Sequence, residues 1–211
     1  MDPEISIVLK SETEAKGESK NGSEILKSKG KEKSKKIHGI TTFELVLFPM
    51  LGSLAFCSKL LMEGLPNVHL IGMFVMLFAL VFRVKGLIPL YIFVFLTGIY
   101  AGFNVWWIPY LYIWTVLWGV TMLLPKDMPP VAQMIIYPAV CALHGLLYGT
   151  LYAPAQALLF GLNLQGTIAW IIAGLPWDLV HALGNLFAGL LVYPLKQALK
   201  RLIGSSGRRA V

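Results

Sequence analysis

The last long apolar helix of this chain is predicted to begin within Gly174-Leu175-Pro176-Trp177-Asp178-Leu179-Val180-His181-Ala182-Leu183-Gly184-Asn185. In such a helix Asp178, His181 and Asn185 are spaced i, i+3 and i+7, so all three side chains project from one face. A carboxylate, an imidazole and an amide on one face of an apolar helix indicate a surface that does not contact lipid.

The composition of the chain is that of a membrane protein. Of its 211 residues 56% are hydrophobic and only 14% are charged, which is more apolar than a soluble domain tolerates. Residues 1–40 contain nine of the 18 lysines and arginines and seven of the 11 acidic residues. Only four acidic side chains therefore remain in the apolar part: Glu44, Glu63, Asp127 and Asp178.

Six membrane-spanning helices are predicted from the apolar runs, most of them close to the roughly 20 residues that cross a bilayer. Their bounds are about 42–62, 68–83, 87–103, 105–125, 131–152 and 174–200. Residues 153–173 are also apolar, but Pro154, Asn163 and Gly166 interrupt them. This favours a folded loop or a short re-entrant helix, with a seventh span as the alternative. The predicted fold class is an all-α integral membrane protein, a six-transmembrane-helix bundle over residues 41–203.

The basic residues set the predicted orientation. With both termini in the cytoplasm, the loops that contain Lys or Arg all face inward, and the outer loops contain none. Residues 1–40, rich in Lys, Ser and Glu, are predicted to be a disordered cytoplasmic tail that touches anionic lipid, and residues 204–211 a flexible basic C-terminus. No aromatic residues are interleaved with the tail lysines, so no nucleic-acid partner is expected. Lys59 is the exception to the pattern, and we expect it to snorkel outward or to pair with Glu63.

Small residues four apart predict close helix packing. Gly145 and Gly149 lie on the fifth predicted helix, and Gly184 and Ala188 on the sixth. In the first helix a broader set of small side chains indicates either internal packing or a docking face for another membrane protein. Its members include Gly52, Ser53, Ala55 and Cys57.

Polar side chains of two predicted helices fall at matching depths. Asp178 and His181 lie within about two turns of the outer end of the last helix, with Asn185 deeper. In the fifth helix His144 lies roughly 12 Å below the outer end, and Tyr148 lies one turn above it. We expect these groups to line one cavity open to the outside. Two structural alternatives remain: His144 as a hydrogen-bonded core residue, and Asp178 as a helix N-cap.

Aromatic residues are concentrated at the outer turn between the third and fourth helices. Asn104 precedes Trp106 and Trp107 there, and Tyr110 begins a helical spacing of aromatic side chains. Tryptophan and tyrosine at a membrane boundary are often interfacial residues, which is the alternative reading. Their position beside Asp178 favours a ligand pocket.

Motifs of membrane enzymes are absent from the sequence. It contains no Gly-x-Ser-x-Gly, no His-Glu-x-x-His and no Gly-x-x-x-x-Gly-Lys-Ser/Thr phosphate loop. No catalytic residue, metal or cofactor is therefore expected, and an ATP-driven step would need an ATPase on another chain. A metal site of Asp178, His181 and His144 is conceivable by ligand type, but the spacing matches no recognised signature.

Two stretches of the chain resemble a known family. They are Leu54-Ala55-Phe56-Cys57-Ser58-Lys59-Leu60-Leu61-Met62-Glu63-Gly64-Leu65-Pro66-Asn67-Val68-His69-Leu70 and the stretch Gly174 to Asn185. Residues 42–200 resemble the substrate-binding S components of energy-coupling factor (ECF) transporters. The resemblance implies a six-helix protein of a prokaryotic plasma membrane that captures a vitamin or related micronutrient from outside.

The resemblance also implies partners. S components associate with a transmembrane T component and two ABC-type ATPases, and they are thought to topple in the membrane to release substrate inside. In many members the first helix presents Ala-x-x-x-Ala to the T component. Here Ser53 and Cys57 offer small residues at that spacing without the literal alanines. The residues predicted for docking are Gly52, Ser53, Ala55 and Cys57.

The predicted substrate is an aromatic vitamin or precursor of the thiamine, riboflavin, pteridine or nucleobase kind, because Trp and Tyr stack on flat heterocycles. A cobalamin-sized ligand is also compatible with the sequence. The alternative function is an integral-membrane enzyme or scaffold whose polar cluster is catalytic or structural. The residues predicted to bind substrate are Asn104, Trp106, Trp107, Tyr110, His144, Tyr148, Trp177, Asp178, His181 and Asn185.

Overall fold

The computed structural model describes residues 39–209, with side chains described through residue 204, and its regular elements are helices. The predicted tail lies outside the described residues except for residues 39 and 40. Residues Phe43–Ile203 form one compact unit, and the described residues 39–42 and 204–209 belong to another. The helices are α1 (Thr42–Leu61), α2 (Ile71–Phe82), α3 (Leu87–Ala101), α4 (Tyr110–Leu123), α5 (Pro130–Leu146), α6 (Tyr148–Phe160), α7 (Leu164–Leu190) and α8 (Val192–Arg209).

Four helical stretches are long and apolar enough to cross a membrane. They are Thr42–Leu61, Ile71–Ala101, Pro130–Phe160 and Leu164–Leu190. The second comprises α2, a 3-10 turn and α3, and the third comprises α5 and α6. A helical architecture with apolar helices of membrane length confirms the coarse prediction, and the count of six spans stays a prediction. Helix α8 extends through Arg209 into the predicted flexible C-terminus.

The region predicted as a folded loop or a short re-entrant helix, residues 153–173, is almost entirely helical. Helix α6 ends at Phe160, Gly161 adopts a left-handed conformation with φ 65°, and α7 begins at Leu164. Asn163 caps α7, because its side-chain oxygen accepts a hydrogen bond of 2.8 Å from the Gly166 backbone N–H. The expected interruption is therefore a three-residue turn.

The predicted start of the last apolar helix near Gly174 was wrong. Helix α7 has 27 residues, and the stretch that contains Asp178 and His181 lies in its middle. Pro176 lies inside the helix, where a proline removes one backbone donor but need not end an apolar helix. At 1.5 Å per residue α7 is about 40 Å long, which exceeds the roughly 30 Å of a hydrocarbon core.

Helix α2 is the most buried element of the compact unit. All nine residues from Ile71 to Ala79 are buried. The helix ends at Arg83, which has a φ of 55°. Helix α4 supports this residue of positive φ: Trp118 Nε1 donates to the Arg83 carbonyl at 3.2 Å, and the Arg83 guanidinium donates to the Met122 carbonyl at 3.3 Å. At the opposite end of α2, a Cβ atom on Gly72 would lie 2.8 Å from Cys141 Sγ on α5 and 3.1 Å from Asn185 Oδ1 on α7, so this end packs closely against both helices.

Helices α5 and α7 form the most extensive helix pair, and glycine permits their close approach. A Cβ atom on Gly145 would lie 2.9 Å from the His181 carbonyl oxygen and 3.0 Å from the Ala182 Cα. A Cβ atom on Gly189 would lie 2.5 Å from the Pro138 Cα. The predicted close packing at Gly145 is confirmed, and it brings the polar side chains of α5 and α7 together.

The residues predicted for docking are divided between the interior and the surface of α1. Gly52 and Ala55 are buried. A Cβ atom on Gly52 would lie 2.8 Å from the Pro89 carbonyl oxygen, so this glycine serves the contact between α1 and α3. Ser53 is half-buried, and Cys57 is exposed. Only these last two are accessible to a partner in this structure.

Candidate solute-binding site

A cavity of about 200 Å³ lies beside the amino-terminal end of α2. Helices α4, α6 and α7 contribute Tyr110, Tyr148 and His181 to its lining. The remaining lining residues come from the end of α1 and the connection to α2: Lys59, Met62, Glu63, Leu65, Pro66, Asn67, Val68 and His69. The connection is attached to α7, because Asn67 Nδ2 donates to the Trp177 carbonyl at 3.3 Å. Asn67 has a φ of 57°, a left-handed conformation that asparagine adopts more readily than most residues.

Aromatic and imidazole rings form a continuous cluster against this cavity. The His181 ring lies 4.7 Å from the His69 ring and 4.7 Å from the Tyr148 ring, measured between centroids. Trp114 extends the cluster, with its ring 5.6 Å from His69 and 5.6 Å from His144. Three of the four histidines of the chain thus meet around Trp114 and Tyr148.

Five residues of the site contain buried polar atoms that have no hydrogen-bond partner among the described residues. The atoms are His69 Nδ1, Trp114 Nε1, His144 Nδ1, His181 Nε2, and Nδ2 and Oδ1 of Asn185. A buried polar atom without a partner costs about 1–3 kcal/mol, so native proteins contain few of them. Every such atom that the described residues contain belongs to this one region. A concentration of this kind indicates a site that is completed by polar partners from outside the chain.

His144 has one structural contact within the cluster. Its Nε2 lies 3.1 Å from the carbonyl oxygen of Ile113 on α4, which requires Nε2 to be the protonated nitrogen. Its Nδ1 is then an acceptor, and this acceptor is buried and unpartnered. His144 therefore combines the expected core role with an unsatisfied group in the site.

His69 precedes α2 and lies outside the apolar helices. Burial, together with the positive charge of Lys59, lowers the pKa of His69 to about 4. A neutral imidazole at neutral pH offers one donor and one acceptor. At neutral pH His69 is therefore uncharged and can both donate and accept a hydrogen bond.

Asp178 serves a structural role. It is only 5% exposed, and its two carboxylate oxygens accept hydrogen bonds of 3.0 and 3.1 Å from the backbone N–H of Gly149, in the first turn of α6. A carboxylate at a helix N-terminus is stabilised by the unpaired N–H groups there. The alternative of Asp178 as the N-cap of its own helix was wrong, because Asp178 lies in the middle of α7 and the helix that it caps is α6.

The predicted site residues in the α3–α4 connection make local contacts instead of lining the cavity. The Asn104 side chain is exposed and accepts a hydrogen bond of 3.2 Å from the Trp106 backbone N–H. Trp107 Nε1 donates to the Val94 carbonyl at 2.9 Å, which directs its indole toward α3. Trp106 packs edge-to-face on Tyr110 at 5.5 Å and does not line the cavity itself. Trp177 is 57% exposed and contributes only its carbonyl to the cavity side.

The structure therefore brings together five of the ten residues predicted to bind substrate: Tyr110, His144, Tyr148, His181 and Asn185. Sequence reasoning missed His69, Trp114 and Lys59 as members of the site. His69 falls in a loop, where helical periodicity carries no information. Trp114 lies one helical turn after Tyr110 on α4, so the same spacing that selected Tyr110 could have found it. No group of three His, Cys, Asp or Glu side chains within residues 39–209 is arranged to hold a metal ion.

Comparison of the chain with protein families, curated proteins and solved structures found no match. The site is therefore interpreted from its own geometry, and the resemblance to S components stays an expectation.

Proposed function

We propose that this chain is the substrate-capture subunit of an uptake system in a prokaryotic plasma membrane, of the ECF S-component type. In this proposal the chain binds a small solute from outside and has no catalytic activity of its own. The observation that carries it is a group of six unpartnered buried side-chain atoms. Two of them belong to His69 and His181, which line one cavity together with the rings of Tyr110 and Tyr148. A site of this composition suits a ligand that both stacks and forms hydrogen bonds.

The volume of the cavity restricts the size of the solute. Pockets for drug-sized ligands occupy about 300–1,000 Å³, and this cavity of about 200 Å³ lies below that range. A cavity of this volume suits a single-ring or small fused-ring heterocycle. A ligand as large as cobalamin would require the connection between α1 and α2 to move, including the Asn67 contact to α7.

Energy for uptake must come from other subunits in this proposal, because the chain contains no phosphate-binding loop. A transmembrane T component and two ABC ATPases are the partners that the resemblance implies. Since Gly52 and Ala55 are buried against the chain itself, a partner helix would meet Ser53 and Cys57 on α1. The large apolar side chains exposed along α1, including Val46, Met50 and Leu54, would adjoin that contact or lipid.

Isolation of the full chain from its native membranes, followed by mass spectrometry of bound small molecules, tests the proposal. We expect a stoichiometric small solute that quenches tryptophan fluorescence when it is added back. Recovery of the protein without any solute, together with no quenching by heterocyclic vitamins and nucleobases, would contradict solute capture. It would favour the alternative of a membrane enzyme or scaffold. Copurification of the T component and ATPases tests the partners separately.

A further inference from the structure

Lys59 stands out among the residues of the cavity because its charge has no partner. The residue is half-buried near the end of α1 and lines the cavity together with Glu63. In the described part of the chain the single ion pair joins Lys85 to Glu44, so the expected pair of Lys59 with Glu63 is not formed. The Lys59 ammonium also donates no hydrogen bond to any described residue.

The other charged and titratable groups nearby do not neutralise Lys59. Glu63 is exposed, and its Oε2 accepts a hydrogen bond of 3.3 Å from the Tyr100 hydroxyl. The Asp178 carboxylate is occupied by the Gly149 backbone N–H. His69 is close enough for the Lys59 charge to lower its pKa. Lys59 is thus the one cation among the residues that line the cavity, and Glu63 at the exposed side is the one carboxylate. The aromatic and imidazole rings of the lining belong to His69, Tyr110, Tyr148 and His181.

We propose that the solute carries a carboxylate that binds the Lys59 ammonium while its ring packs against Tyr148 and His181. This inference rests on the proposed function and narrows it to aromatic or heteroaromatic acids. A partly desolvated ammonium forms a strong charge-assisted hydrogen bond with a carboxylate and gives no comparable bond with the corresponding amide. The rings beside it supply stacking surface and neutral hydrogen-bonding groups.

Matched acid and amide pairs test this inference on the purified full chain. The probes are nicotinate and nicotinamide, 4-aminobenzoate and 4-aminobenzamide, and indole-3-acetate and indole-3-acetamide, titrated by tryptophan quenching and calorimetry. We expect at least one acid to bind roughly tenfold to a hundredfold more tightly than its amide, which is the range of one charge-assisted bond. In Lys59→Met the preference should disappear, whereas Lys59→Arg should retain it. Lys126→Met, at an exposed lysine that does not line the cavity, is the control and should bind as the unaltered chain does.

Three results would overturn the inference: equal or tighter binding of the amides, an acid preference that persists in Lys59→Met, or no binding of any acid at millimolar concentration. If amides or other uncharged heterocycles bind and Tyr148→Ala abolishes that binding, solute capture survives and only the carboxylate assignment fails. If neither acids nor uncharged heterocycles bind, both proposals fail.

Discussion

Asp178 on α7 caps helix α6, with both carboxylate oxygens accepting from the Gly149 backbone N–H at 3.0 and 3.1 Å. The contact requires glycine at position 149, because a Cβ atom there would collide with the Asp178 carboxylate. A side chain that the sequence pattern assigns to ligand binding thus fixes the junction between α5 and α6. Tyr148, which lines the cavity, lies one residue before this cap.

Loss of the cap should reduce stability more than it reduces affinity. We expect Asp178→Ala to lower the free energy of unfolding by about 1–2 kcal/mol, the usual effect of removing an N-cap. Asp178→Asn keeps an oxygen acceptor, so its free energy of unfolding should fall by less than that of Asp178→Ala. Thermal unfolding in detergent, followed by tryptophan fluorescence, measures the difference. An unchanged melting temperature in Asp178→Ala, with weakened ligand binding, would instead assign Asp178 to the solute.

The close approach of α5 and α7 can be tested with two glycines in different surroundings. Gly145→Ala places a methyl group against the backbone of His181 and Ala182, which cannot move aside, and should destabilise the fold by about 1–3 kcal/mol. Gly174→Ala, in α7, meets no atom within 4 Å and should be neutral or stabilising by up to about 1 kcal/mol. Equal melting temperatures for the two variants would contradict the packing described for this helix pair.

A buried lysine near the other end of α5 lacks an anionic partner. Lys196 on α8 is 6% exposed, and its ammonium donates to Gln133 Oε1 at 2.7 Å and to the Tyr137 hydroxyl at 2.9 Å. Gln133→Leu should lower the free energy of unfolding by about 1–3 kcal/mol, because it leaves the Lys196 ammonium with one acceptor. Lys196→Met removes the buried charge and should be neutral or stabilising. Destabilisation of Lys196→Met as large as that of Gln133→Leu would show that the charge itself holds α8 in place.

Stability should also depend on pH through the same lysine. Burial lowers the pKa of Lys196 from its ordinary value near 10.5. Between the lowered pKa and 10.5 the unfolded chain binds more protons than the folded chain, so the contribution of Lys196 makes stability rise with pH in that window. Subtraction of the Lys196→Met profile from that of the unaltered chain isolates this rise. If the difference in stability between the two chains fell with rising pH, the Lys196 ammonium would be stabilised by its surroundings.

The convergence of polar residues could be predicted where helix geometry alone decides it. His144 near the end of α5 and Tyr148 at the start of α6 are four residues apart, and His181 and Asn185 lie one turn apart on α7. Neighbouring helices at matching depth therefore bring these side chains together. Helix geometry also assigned Asp178 to the pocket, and its place in the aromatic outer turn assigned Trp107. The polar groups of both instead find backbone partners on other helices, at Gly149 and Val94. Helical periodicity contains no information about such partners.

Residues whose positions depend on turns could not be predicted in the same way. The sequence marks Asn163 as an interruption but does not show that the turn is as short as residues 161–163, because three residues suffice to end α6 and to cap α7. His69 reaches the cavity through the conformation of the α1–α2 connection, which includes Asn67 with its φ of 57°. The same connection supplies most of the residues that line the cavity together with Lys59 of α1. In both places the decisive features are single backbone conformations and caps, which a hydropathy pattern does not record.

Binding of the copurified solute by two paired variants tests the central claim most directly. His181 lies at the centre of the ring cluster and lines the cavity, whereas the Trp177 side chain, four residues earlier on α7, faces away from it. We expect His181→Ala to weaken binding at least about tenfold, as loss of a stacked, hydrogen-bonding ring implies, and Trp177→Ala to bind as the unaltered chain does. Unchanged affinity in His181→Ala, or a loss in Trp177→Ala of the same size, would contradict the assignment of this cavity as the solute site.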